Sequence, residues 1–320
     1  MTIIDADFIE EDYISAVETM ISRSAYAHNK KFIEISRISQ DQERGLGYDG
    51  VLTAIVPFYV QFKRSQFYTP AYSGKLSKDR QKVFGKPLNS GFLAFKLHRD
   101  RHTQMYEQHN AMWKLSQYSS AAYVAPLFYK KRDLTALKQR EVDLPWEYRQ
   151  LKVRDRVFRM DYQLKAVRTF KDSIVVIPHR EVKDKEPSHH YTYDRAIKNV
   201  AFHSDVEFVE SPQYNLADFV SSVLERANRL EAGFNQMPMD GSLEVIQHLP
   251  ELFGLTWRSR KFRSMVSNYL LEIGVIFKKL PNNLESYLSD ELSIQDRFYF
   301  LEEILRQEFS IIQYTVRLDA

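Results

Sequence analysis

The chain reads as an α/β protein with a mixed sheet, followed by a helical region, and three observations predict it. Between residues 9 and 129, helical periodicity and β-rich runs follow one another in the order helix, three strands, helix, strand. From about residue 214 onward apolar residues recur at helical spacing, with proline or glycine at the joints. Across 320 residues a 44% hydrophobic content, including 21 Phe and 19 Tyr, fills the core of one large domain or two ordinary ones and argues against disorder. The expected division is an α/β domain over 1–205 and an α-helical domain over 206–320, the latter a place for homo-oligomer or partner-protein contact.

The elements follow in order. Residues 9–28 set Ile9, Tyr13, Val17, Met20 and Ile21 on one helical face. "KFIEISRIS" suits a short strand or the approach to another helix, and Ser39 can cap a turn through "QDQER" that Gly45 and Gly47 end. "YDGVLTAI" and "FYVQFKRS" read as two strands joined near Pro57. A basic loop with Pro70, Gly74, Gly85 and Pro87 follows, then a third strand, "GFLAFKLH". Asp100 is the expected N-cap of a helix through "RHTQMYEQHNAMWKLSQ", and "AAYVAPLFY" is a buried strand. "DLTALKQREVDL" is a short helix, "SIVVIP" a strand, "KDKEPSHHYTYD" a polar loop with a strand-like end, and "DVEFVESP" a boundary. The helical region comprises "NLADFVSSVLERANRLEAGF", "SLEVIQHLPELF", "RKFRSMVSNYLLEIGVIFKKL" and "DRFYFLEEILRQEFSIIQYTVRL".

No cysteine is present, which excludes disulfides and thiolate metal sites and fits a reducing cytoplasm. The acidic N-terminus lacks the pattern of a signal peptide, and no apolar run reaches the roughly 18 residues of a membrane span. Charge divides unevenly. Residues 61–101 hold ten Lys and Arg against Asp79 and Asp100, whereas residues 205–320 hold eleven basic and eighteen acidic side chains. That asymmetry points to a polyanion for the N-terminal half.

The basic stretch opens at an unusual run, "GLGYDGVLTAIVPFYVQFKRS", residues 45–65. Asp49 stands at one end of its apolar core and Gln61 and Lys63 at the other, with Glu43 just before. A hairpin closes its ends together, and residues two apart on a strand share a face. Asp49 could then offer a carboxylate and Gln61 an amide oxygen to a hard cation, with Lys63 nearby for water or phosphate.

On these residues, and on the αβββαβ element order, the chain resembles the PD-(D/E)XK, or restriction-endonuclease-like, nucleases in their Mrr-like variant with Gln-x-Lys. The resemblance covers about 40% of the chain, the stretch 9–129. It implies a restriction-endonuclease-like core and metal-dependent hydrolysis of phosphodiester bonds in DNA, ahead of RNA, in prokaryotic antiviral defence or restriction. By that resemblance Asp49, Gln61 and Glu43 would ligate Mg²⁺ or Mn²⁺, with Glu34 a rival of Glu43, and Lys63 would orient the nucleophile. Arg64, Lys75, Lys78, Arg80, Lys82 and Lys86 would hold the nucleic-acid backbone, interleaved with Phe67, Tyr68, Tyr72 and Phe84. The strand carries glutamine where the family usually has glutamate, so one anionic ligand is missing. The alternative is the same fold without catalysis, binding nucleic acid or partner proteins in a complex; a third is a purely protein-binding scaffold.

Other polar groups have blander explanations. "HRDRH" fits a strand end and helix cap, His109 fits a packed core position, and His189 and His190 lack a third ligand. "WRSRKFRS" is a second phosphate patch or a charged helix face. No glycine-rich phosphate loop, G-x-S-x-G or dinucleotide fingerprint appears.

Overall fold

The computed structural model describes residues 3–25, 33–36, 52–85, 89–143, 173–183, 188–197, 199–203, 207–208, 216, 218–220, 222–223, 225–226, 239–275 and 281–319. In chain order these form β1 (Ile3–Ile4), α1 (Glu10–Ala25), β2 (Ile33–Ser36), β3 (Leu52–Phe62), β4 (Gln66–Tyr68), α2 (Lys75–Phe84), β5 (Phe92–Lys96), α3 (Glu107–Tyr118), β6 (Ser120–Pro126) and α4 (Lys131–Asp143). Then come β7 (Ile174–Ile177), β8 (His190–Tyr193), β9 (Ala201–His203), β10 (Glu207–Phe208), β11 (Met239–Asp240), α5 (Ser242–Gln247), α6 (Leu249–Leu252), α7 (Arg260–Glu272), α8 (Leu284–Ser286), α9 (Ile294–Phe309) and β12 (Ile312–Asp319).

The strands form two sheets. One is antiparallel, β1-β4-β5-β8-β9-β10; the other is mixed, β2-β12-β3-β6-β7, with β11 parallel to the start of β3. β3 and β6 run parallel, Phe58 opposite Ser120 and Phe62 opposite Val124, so the chain crosses over between them. Alternation on β3 sorts its side chains. Val56, Phe58, Val60 and Phe62 face a core built with Tyr13, Val17 and Ile21 of α1 and with Leu216, Phe219 and Val223. The opposite face is covered in two parts. Tyr59 and Ala121 meet the helices α3, α5, α6, α7 and α9. Tyr123, Ala125, Val175 and Ile177 meet Leu93, Phe95, Tyr191 and Phe202 of the antiparallel sheet.

Several expectations need correction. No turn occurs at Pro57; β3 is one strand of 11 residues. Proline is tolerated there because its position falls between the stretch of β3 paired with β11 (Ala54, Ile55) and the stretch paired with β6 (from Phe58). The strand "GFLAFKLH" becomes β5 but sits in the antiparallel sheet, so the three strands of the expected core do not lie in one sheet. The loop over 64–86 contains β4 and the helix α2, which ends at Gly85 in the left-handed conformation with φ 70°. Asp100 caps no long helix. Its carboxylate accepts from the backbone N–H of His102 and Thr103 in a local turn, and α3 begins only at Glu107.

The last predicted helix is also shorter than expected. Ser310 turns left-handed at φ 53° after α9, and the chain re-enters the mixed sheet as β12 between β2 and β3. Ile312, Tyr314 and Val316 face the α1 side, and Gln313, on the other face, donates to the carbonyl of Phe298. The result is an α/β arrangement with mixed pairing whose C-terminal helical region is tied into the sheet by its final strand. The helical turn expected over "QDQER" lies outside the described residues.

Candidate functional site at the end of strand β3

Gln61 and Lys63 share the face of β3 that carries Tyr59, as a two-residue spacing requires. They stand at the seam where the helical cover gives way to the antiparallel sheet. Gln61 is 3% exposed and opposite Tyr123 in register. Its Nε2 donates to the carbonyl of Phe309 at 3.1 Å and to Gln108 Oε1 at 3.4 Å. Its Oε1 is buried and has no hydrogen-bond partner among the described residues. This explains the glutamine. A carboxylate here would face the Phe309 carbonyl oxygen with nothing to donate, whereas the amide both satisfies that carbonyl and keeps an oxygen free.

Lys63 continues the ladder, its N–H donating to the Val124 carbonyl at 3.0 Å. Its Nζ lies over the ring of Tyr123, 5.2 Å from the centroid. Burial pulls the ammonium pKa down to about 8, with the Glu10 carboxylate opposing the shift. Glu10 is the first residue of α1, and burial raises its own pKa against the pull of Lys63 and Arg64. No sequence signal marks Glu10 as a site residue. "EED" at a helix start reads as ordinary macrodipole complementarity, and nothing in its spacing points at Lys63.

Beneath Lys63 lies a polar interior. His109 Nε2 meets the carbonyl of Arg180, which can only accept, so that nitrogen carries the proton. Nδ1 is then the acceptor for the Tyr123 hydroxyl at 2.9 Å. Burial holds His109 neutral, at a pKa of about 4. His179, 8% exposed, packs its ring 4.2 Å from that of Tyr123. It is driven well below its ordinary pKa by burial, then by His109 and Lys63, with the Ala121 backbone opposing. The expectation that His109 is a packed core residue agrees with its 1% exposure.

The other expected site residues divide. Asp49, Glu43 and Lys86 lie outside the described residues, and of Glu34 only the backbone, opposite Arg317, is described. The turn expected near Pro57 is not formed: Leu52 and Gln61 lie near opposite ends of one strand, about 30 Å apart at roughly 3.3 Å per residue. Arg64 is exposed and donates to the Phe8 carbonyl at 3.1 Å. Lys75, Lys78 and Lys82 are exposed on α2. Arg80 is corrected. It is 2% exposed, donates to Thr192 Oγ1 and the Asn199 carbonyl, and lies between Phe84 and Phe92, so it cannot grip a phosphate.

Among the described residues no group of three or more His, Cys, Asp or Glu could hold a metal ion. Gln61 keeps a buried amide oxygen without a donor, and the Glu10 carboxylate acts on Lys63. No family model, curated protein or solved structure matches this chain.

Proposed function

We propose that the protein is a metal-dependent phosphodiester hydrolase acting on DNA, with Lys63 as its central cationic group. The observation that carries this reading is a half-buried lysine whose amine lies over the Tyr123 ring, on the same strand face as an amide oxygen left without a donor. The ligands expected from the sequence, Asp49, Gln61 and Glu43, would hold Mg²⁺ or Mn²⁺, and the Glu10 carboxylate lies within the field of Lys63. Such an ion supplies Lewis acidity toward a phosphate oxygen and lowers the pKa of bound water. The chain's own contribution is the Lys63 ammonium. It donates to a non-bridging phosphate oxygen, and its weak hydration makes that interaction stronger as negative charge builds. Tyr123, held by His109, fixes where the ammonium sits.

The test is cleavage of supercoiled plasmid with Mg²⁺ or Mn²⁺ by wild type, Lys63→Met and Glu10→Gln, each checked for native fold by circular dichroism. Wild type is expected to nick, and both variants to lose at least about a hundredfold in rate. A second reading, a nucleic-acid-binding module without catalysis, is favoured by the straight course of β3, which leaves Asp49 without its expected hairpin route. Binding by wild type with no cutting under either ion would select it.

A further inference from the structure

The outer face of the antiparallel sheet is covered by α2, whose Leu76 packs with Tyr68, Phe92 and Ala94. Lys75, Lys78 and Lys82 occupy the exposed side of that helix at positions i, i+3 and i+7, a single stripe about 10 Å long at ~1.5 Å per residue. Beside α2 the sheet adds Lys96 of β5, exposed, and His190 of β8, which pair in register. His203 of β9, opposite His190, is 5% exposed; Thr192 Oγ1 lies 2.7 Å from its Nε2, and its Nδ1 has no partner among the described residues.

The charged groups that act on the two histidines are basic. Lys96 and His189 act on His190; Arg80, His190 and Lys75 act on His203. Two acids among the described residues, Asp79 and Asp194, are spent internally. Asp79 is 7% exposed and 4.0 Å from Lys82, and Asp194 receives the Asn199 amide and eases the charge of Arg80. Clustering like charges costs free energy in the isolated protein, and a ligand of opposite charge recovers it.

We infer that this face of the antiparallel sheet binds the phosphate backbone of a nucleic acid, with Lys75, Lys78, Lys82 and Lys96 as its contacts and His190 as a proton-coupled one. A row of phosphates suits a stripe of this length better than a single small anion does. The inference extends the hydrolase reading by naming the surface that holds its substrate, and its test reads binding alone. Burial and Lys96 hold His190 at a pKa of about 4 in the free protein, so it is neutral at pH 7. A phosphate beside it favours the imidazolium. If contact restores the ordinary value near 6.5, affinity at pH 5.5 exceeds that at pH 7.5 by about tenfold.

The experiment is fluorescence anisotropy with a labelled 20-base-pair DNA duplex, without divalent ions, across salt concentration and pH. Wild type is expected to bind, and Lys75→Gln/Lys78→Gln/Lys82→Gln to flatten the slope of log K against log salt by about three. His190→Gln should remove most of the tenfold pH effect while leaving the salt slope. The readout is binding without divalent ions and without cleavage, so failure of the hydrolase reading leaves this result standing. No binding by wild type overturns the inference, as does an unchanged salt slope in the triple variant. So does competition by inorganic phosphate beyond its effect on ionic strength, which would assign the surface to a single ion.

Discussion

At Lys63 the cost of burial and the benefit of charge pull against each other. The folded protein gives up this proton near pH 8 and the unfolded chain near 10.5, so between those values the unfolded state binds more protons and stability rises with pH. Below pH 8 the ammonium is a net liability to the fold. Lys63→Met is therefore expected to gain about 1–3 kcal/mol in urea denaturation at pH 7 while losing cleavage. A destabilised variant would show that Lys63 holds the structure together. For the hydrolase, kcat/KM should fall as pH rises past about 8, when the free enzyme loses its ammonium. Gln61→Glu would set an anion against the Phe309 carbonyl and is expected to cost about 2–4 kcal/mol, read from the same denaturation curves. The pairing of Gln61 with Lys63 on one face was legible, because strand alternation needs only two residues. Glu10, Tyr123, His109 and His179 reach the same place from other elements, and no local spacing announces such convergence.

At the scale of elements, β3 and β12 carry the lesson. Proline usually ends a strand, so in the sequence Pro57 predicts a turn. It stays inside β3 because the neighbour beside it changes from β11 to β6 at that point, a long-range circumstance. In the sequence "IIQYTVRL" continues the preceding helix although Ile312, Tyr314 and Val316 alternate, since alternation over so few residues is easily overridden by a strong helical pattern before it. The positions of β5, α3, β6, α4 and β7 are otherwise legible in the sequence, their sheet membership not, because sheet order is fixed by pairing between distant segments. Val316 is fully buried on a strand with partners on both sides. Val316→Asp is expected to cost at least about 4 kcal/mol, enough to leave little soluble folded protein, as size-exclusion chromatography would reveal. A monodisperse, native-like variant would mean that β12 is not integral to the sheet.

For the whole molecule, β12 makes the end of the chain part of the sheet that begins near its start. Without residues 206–320 the strands β2 and β3 lose the partner between them, so a 1–205 fragment is expected to give poor dispersion in proton–nitrogen NMR spectra. The charge asymmetry seen in the sequence survives folding in altered form: Arg80 is withdrawn into the interior, while Lys96 and His190 join the exposed α2 lysines. Among the described residues no helix is long and apolar enough to cross a membrane. The most direct measurement is plasmid nicking by wild type and Lys63→Met side by side, with Mg²⁺ or Mn²⁺ and matched folded fractions. Nicking by wild type that disappears in a folded, more stable Lys63→Met protein is the expected result. Equal cutting by both proteins, or none by either, would contradict a catalytic role for the amine on Tyr123.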